Sequence, residues 1–305
     1  MGTPDFAVAS LDELVQAGWN IVGVVTAADK PAGRGMKLTQ SAVKTYALQQ
    51  GLPVLQPEKL KHPDFIEALR SLHADLQVVV AFRMLPEVVW NMPPMGTINL
   101  HGSLLPQYRG AAPINWAIIN GETYTGVTTF KLQHQIDTGD ILLNERIAIG
   151  ADATAGELHD TMKVIGARLL VKTVQGLFAG TLTEKPQDAI DAGALKHAPK
   201  LFTENCTINW QQTALSIHNS IRGLSPFPGA LTTLNGKLLK VFKSRYELMM
   251  HNVPCGQVES DQKTFIRFAA AGGFVYLLDL QPEGKKRMQV EDYLRGNKVI
   301  TSSGE

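Results

Sequence analysis

The chain has 305 residues, 44% of them hydrophobic and 19% charged, with a formal net charge of +1. That balance excludes a disordered or fibrous chain and a uniformly basic nucleic-acid binder, so any cationic surface has to be local. Cys206 and Cys255 make no metal-type spacing, no apolar run approaches the ~18 residues of a membrane span, and no signal peptide opens the sequence; no metal, no membrane and a cytoplasmic location are expected.

The first residues, Met1-Gly2-Thr3-Pro4-Asp5, read as a strand-to-helix turn, with Thr3 as N-cap and Pro4 as the first helical residue. A doubly wound domain places a strand before such a turn, and none is present; the expectation is that Met1 is internal to a longer chain. Helices are predicted over Pro4–Ala17, Ser41–Gln50, His62–Leu72, Ala112–Asn120 and Thr154–Ala179. Between them lie the β-branched and apolar runs Ile21–Thr26, Leu76–Phe82 and Thr97–Leu100. Fully apolar strands alternating with helices indicate a mostly parallel sheet covered on both faces. Gly126–Leu132 and Ile141–Ile149 are less apolar and are predicted as antiparallel additions. The pattern weakens over Leu182–Pro199. Beyond it a helix over Thr213–Ile221 precedes short strands at Ala230–Leu234, Leu238–Tyr246, Gly256–Val258, Thr264–Ala269 and Gly273–Asp279, the texture of a small β-barrel.

The chemistry concentrates in Asn99-Leu100-His101-Gly102-Ser103-Leu104-Leu105-Pro106 and in Ile136-Asp137-Thr138-Gly139-Asp140. Asn99 and His101, two apart on a strand, project to one face. An amide, an imidazole and a carboxylate at strand ends suit acyl transfer: one holds an oxyanion, one holds or moves a proton, one balances the imidazole's charge. Asp140 is a rival acid to Asp137, and His134 reads as surface. Lys30, Arg34 and Lys37 punctuate a Gly- and Pro-rich loop able to lie along nucleic-acid phosphates.

These motifs, with Gly2-Thr3-Pro4-Asp5-Phe6, Asp29-Lys30-Pro31-Ala32-Gly33-Arg34-Gly35, Gln107-Tyr108-Arg109-Gly110, Arg222-Gly223-Leu224-Ser225-Pro226 and Gly284-Lys285-Lys286-Arg287, run nearly end to end. Together they resemble the methionyl-tRNA formyltransferase family of the 10-formyltetrahydrofolate-dependent formyltransferases. The resemblance implies an α/β, Rossmann-like formyltransferase domain over residues 1–183, a linker over 184–200 and an OB-like, tRNA-binding barrel over 201–305. It implies transfer of a formyl group from 10-formyltetrahydrofolate, the co-substrate, to the α-amino group of methionyl initiator tRNA. Asn99, His101 and Asp137 are then catalytic and Ser103, Leu104, Leu105 and Pro106 contact folate. Arg34, Lys30, Lys37, Lys237, Lys240, Lys285 and Lys286 meet tRNA, with Arg34 the main contact, and the protein is a monomer. Arg83 and Met84 depart from the family's commoner Tyr-Gly pair near the pterin pocket. Two alternatives share the catalytic set or the fold: a formyltransferase acting on an amino sugar nucleotide, and an inactive tRNA-binding homologue.

Overall fold

A computed structural model describes residues 1–32, 37–190 and 193–300. The chain forms two compact units, each drawn from more than one stretch: residues 1–110, 126–147 and 159–197 make the first, and residues 111–125, 148–158 and 198–305 the second.

In the first unit α1 (Asp5–Gln16) follows Met1–Gly2. Pro4, not Thr3, holds the N-cap position, one residue later than the sequence suggests, and no side chain caps the helix there. Gly2 is required at its place: a Cβ would stand 2.4 Å from Ala7 Cβ and 2.8 Å from Val80 O. Its N–H donates to Val25 O at 3.0 Å, and it bridges Val80 in parallel. Next come β1 (Val24–Val25), α2 (Ala42–Gln49) and β2 (Val54–Leu55), with β1 and β2 parallel. Ser41 caps α2, its Oγ accepting from Lys44 N at 3.0 Å. The predicted six-residue run Ile21–Thr26 shortens to Val24–Val25 because, among the described residues, only there does a ladder exist on both sides, to Leu55 and to Gly2. Ile21 to Gly23 instead wall an apolar pocket of about 140 Å³, with Met1, Leu14, Leu69, Leu76 and Val78 on its other sides.

Amphipathic α3 (Pro63–Ser71) turns Phe65 and Leu69 inward onto Val25, Val79 and Val89. Then β3 (Gln77–Val80) and β4 (Thr97–His101) pair in parallel, and β5 (Tyr124–Lys131) joins β4 antiparallel, as its sequence suggests. The sheet order is β3-β4-β5-β6, with β6 (Ile141–Ala148) outermost. The 24-residue α4 (Ala155–Phe178) covers it; Gly166 packs on Leu100 and Val127, and Thr173 Oγ1 meets Thr129 Oγ1 at 2.8 Å.

The second unit centres on α5 (Ala214–Gly223) and an antiparallel sheet of β7 (Ala230–Leu234), β8 (Lys237–Leu248), β9 (Val258–Ser260), β10 (Ile266–Ala270), β11 (Gly273–Pro282) and β12 (Met288–Gln289), followed by α6 (Val290–Leu294). The order is β7-β8-β11-β10-β9, with β12 against β11. Register shifts between Val241 and Ser244 bend the long β8 strand. The curled sheet wraps a core of Ile217, Ile221, Leu239, Val241, Ile266, Leu277 and Leu280, each worth roughly 1.5–3 kcal/mol of burial. The helix Pro113–Ile119 belongs to this unit: Asn115 Nδ2 donates to Gly223 O at 2.8 Å, and Ile119 packs on the core. Buried Arg222 donates to Ala153 O at 3.0 Å and, through Nε, to Asn219 Oδ1 at 2.9 Å.

Candidate active site

Strand β4 has neighbours on both edges, so Asn99 stands opposite Val79 on one side and Phe130 on the other. It is half-buried, and its side-chain amide has no hydrogen-bond partner among the described residues. His101 ends the same strand and is buried. Its Nε2 lies 2.9 Å from the carbonyl oxygen of Tyr108. A carbonyl only accepts, so Nε2 carries a proton and the variable nitrogen is Nδ1. Nδ1 faces Asp137 Oδ2 at 3.9 Å, an ion-pair distance too long for a hydrogen bond.

Asp137 is delivered by the turn between β5 and β6. Gly139 lets that turn pass under the sheet: a Cβ there would fall 1.6 Å from Lys131 O. Asp140 closes the turn through its backbone, its carbonyl accepting from Lys131 N at 3.0 Å. Asp137 itself has φ 55°, and Tyr108, which supplies the carbonyl for His101, has φ 60°. Left-handed backbone costs roughly 1–2 kcal/mol at such residues and persists only where neighbours impose it. The neighbours are visible. Gly110 N donates to Asp137 Oδ2 at 3.0 Å. The buried Gln187 amide donates to Asp137 O at 2.9 Å and Gly139 O at 2.7 Å, and accepts from Arg109 Nη2 at 2.6 Å and Nε at 3.0 Å.

Sequence reasoning missed Gln187, Arg109 and the Tyr108 carbonyl. Gln187 lies in the stretch read as an extended linker, where no periodicity marks a buried residue. A carbonyl leaves no sequence signal at all.

The four residues expected to touch folate form a buried turn. Ser103, Leu105 and Pro106 are buried and Leu104 is half-buried. Ser103 Oγ donates to Gln107 O at 2.6 Å, and Ser103 O accepts from Thr128 Oγ1 at 2.6 Å. The Ser103 hydroxyl is thus spent on its own turn, and what this segment offers outward is backbone and the face of Leu104. Exposed Arg83 fastens its guanidinium to the carbonyls of Pro57 and Glu58.

Of the expected tRNA contacts, Lys30 is exposed on a two-stranded arm in which Lys30–Ala32 pairs with Lys37–Thr39. Arg34 lies outside the described residues, and of Lys37 only the backbone is described. In the second unit Lys237, Lys285 and Lys286 are exposed. They fall at one end of the sheet, because Leu239 is opposite Pro282 and Glu283 N bonds Leu238 O. Lys240 is half-buried, its Nζ donating to Pro228 O at 3.1 Å. Arg287, adjacent to them, is neutralised by a paired contact with Asp279 at 2.7 and 2.8 Å and lies over the Phe242 ring. His134 is exposed beside Glu87 at 3.5 Å, matching its surface reading.

A grouping of Asp5, His159 and Asp160 has metal-like spacing, but the Lys163 ammonium lies 3.1 Å from both carboxylates, which makes it a salt-bridge cluster. Among the described residues no helix is long and apolar enough to cross a membrane.

The family model described as formyl transferase matches residues 1–174, and the model of the formyl transferase C-terminal domain matches residues 200–298. The chain belongs to the formyl transferase family. This formyl transferase is 53% identical to a methionyl-tRNA formyltransferase of Parabacteroides distasonis, over 98% of this chain and 95% of that one. It is 49% identical to a methionyl-tRNA formyltransferase of Flavobacterium johnsoniae, over 100% and 96%. Among solved structures, the sugar 3N-formyl transferase WlaRD, crystallised with dTDP and 5-N-formyl-THF, superposes with a TM-score of 0.67 at 20% identity, covering 93% of this chain and 97% of that one. HypX from Aquifex aeolicus in complex with tetrahydrofolic acid gives 0.58 at 20% identity, over 81% and 43%. At that identity the two structures establish a shared formyl transferase fold: a Rossmann-like α/β domain and a curled antiparallel second domain of OB-like form.

Proposed function

We propose that this chain transfers the formyl group of 10-formyltetrahydrofolate to the α-amino group of methionyl initiator tRNA. What supports the reading is His101 facing Asp137 at 3.9 Å, with Asn99 two residues earlier on the same strand, in a chain of this family whose near-full-length relatives are methionyl-tRNA formyltransferases.

Attack of a neutral amine on the formyl carbon develops an oxyanion; when that tetrahedral intermediate collapses, the bond from the formyl carbon to N10 of the folate breaks and N10 takes up a proton, so that tetrahydrofolate leaves. The free Asn99 amide donates to the oxyanion, and loss of one such donor typically costs about 10²–10³ in rate. The His101 Nε2–H is engaged by Tyr108 O, so any proton His101 gives or takes passes through Nδ1, the nitrogen facing Asp137. Asp137 holds Oδ2 on Gly110 N–H, which leaves Oδ1 to receive the proton the amine sheds. Lys30, Arg34 and Lys37 and the lysines Lys237, Lys285 and Lys286 meet phosphates of the tRNA.

The test is formyl transfer from 10-formyltetrahydrofolate to methionyl initiator tRNA, with uncharged tRNA and an amino sugar nucleotide as parallel acceptors. Transfer confined to methionyl-tRNA supports the reading. Transfer to the sugar alone keeps the catalytic trio and overturns the acceptor. Folded protein that binds tRNA and transfers nothing overturns both.

A further inference from the structure

Gln187 uses its whole hydrogen-bonding capacity in one place. Its Oε1 takes both bonds from Arg109, and its Nε2 gives both to the carbonyls of Asp137 and Gly139. A guanidinium only donates and a carbonyl only accepts, so the amide has one possible orientation. It is buried, with 3% of its surface exposed.

The two segments it joins are the two that fix the site. On one side, Arg109 lies between Tyr108, whose carbonyl holds His101 Nε2, and Gly110, whose N–H holds Asp137 Oδ2. On the other, the Asp137–Gly139 turn carries the carboxylate in left-handed backbone. Gln187 is a rigid strut between the backbone that positions the imidazole and the backbone that positions the acid.

We propose that Gln187 is a positioning residue that keeps the Asp137 carboxylate opposite His101 Nδ1 without touching substrate. This rests on the reading of Asp137 as the proton acceptor given above.

Gln187→Glu keeps an acceptor for Arg109 and sets an anionic oxygen against the two carbonyls, so it breaks the strut at the Asp137 end only. Gln187→Met, similar in length and apolar, serves if the first variant does not fold. Two lost hydrogen bonds predict a kcat lower by about 30-fold, with KM for both substrates within about twofold. In an Asp137→Asn background the same change should cost about twofold or less, since the group it positions is already disabled. A readout independent of activity is hydrogen exchange at the Gly110 amide, whose acceptor is the positioned carboxylate. Its protection should fall by about 30-fold in the Gln187 variant, while the buried strand amides of Leu100 and Val127 keep theirs.

Unchanged Gly110 protection, or an equal loss at all three amides, would overturn the proposal. So would a full 30-fold loss of kcat in the Asp137→Asn background. If the wild-type enzyme formylates another acceptor, the functional reading fails while the Gly110 measurement still decides the role of Gln187.

Discussion

Asp137→Asn removes one charge and almost nothing else. The asparagine carbonyl can still accept from Gly110 N–H, and the backbone bonds to Gln187 do not involve the side chain. What disappears is the negative charge 3.9 Å from His101 Nδ1 and the basic oxygen available to the amine. At that separation, opposite unit charges attract by about 4 kcal/mol at an effective dielectric near 20. Asp137 retains 15% of its side-chain exposure and His101 8%, so water screens part of this and roughly half survives. About 2 kcal/mol at the step where a proton reaches Nδ1 is roughly 30-fold in rate. Loss of the general base adds a further factor, typically 10²–10⁴ on its own and overlapping with the first. The expected result is a kcat lower by about 10²–10³, with unchanged tRNA affinity and an unchanged urea midpoint. Single-turnover transfer under saturating folate and tRNA separates chemistry from binding. A rate within about threefold of wild type would refute the reasoning and remove Asp137 from the proton path.

The exposed lysines give a second test. Lys285→Ala with Lys286→Ala should weaken tRNA binding and reduce the slope of log affinity against log salt by about one per lost phosphate contact, read by filter binding across a salt series; an unchanged slope would return both lysines to ordinary surface. Thr154 precedes α4 and accepts from Glu157 N while Glu157 Oε2 takes the Thr154 N–H and O–H, each at 2.8 Å. Thr154→Ala should lower unfolding stability by about 1 kcal/mol in urea titration. Those same donors hold the Glu157 carboxyl below its ordinary value of 4.5. A depressed carboxyl contributes stability that is present above about 4.5 and lost as pH falls through the lower, folded value. The urea midpoint of Glu157→Gln should therefore converge on that of the wild type as pH is lowered from about 6 to about 3, and a gap constant over that range would contradict it.

Much of the architecture is legible in the residues because local pattern and burial agree. The helix at His62–Leu72 announces itself through Phe65 and Leu69 one turn apart, and Ala230–Leu234 is the strand its alternation predicts. Asn99 and His101 share a face by strand geometry alone. What the sequence hides depends on partners distant along the chain. Ile21–Thr26 has the composition of a six-residue strand, yet a strand exists only where another backbone lies beside it, and that is Val24–Val25. Arg287 looks like part of a basic face until the fold brings Asp279 into a two-point contact with its guanidinium. Gln187 sits among prolines and polar residues with no repeating pattern. Its burial follows from the path of two other segments, so no local rule finds it.

The second unit gathers its parts from three places along the chain. The helix Pro113–Ile119 and the carbonyl of Ala153 are made early, yet their partners Ile221, Arg222 and Gly223 come from the last third. At roughly 5–20 residues per second, these early pieces wait on the ribosome for seconds before the sheet they complete has been made. A protein fragment starting at residue 201 would lack that helix, leaving the Gly223 carbonyl without its donor Asn115 and the Arg222 guanidinium without its acceptor at Ala153. The last third of the chain therefore depends on sequence that the ribosome delivered long before it.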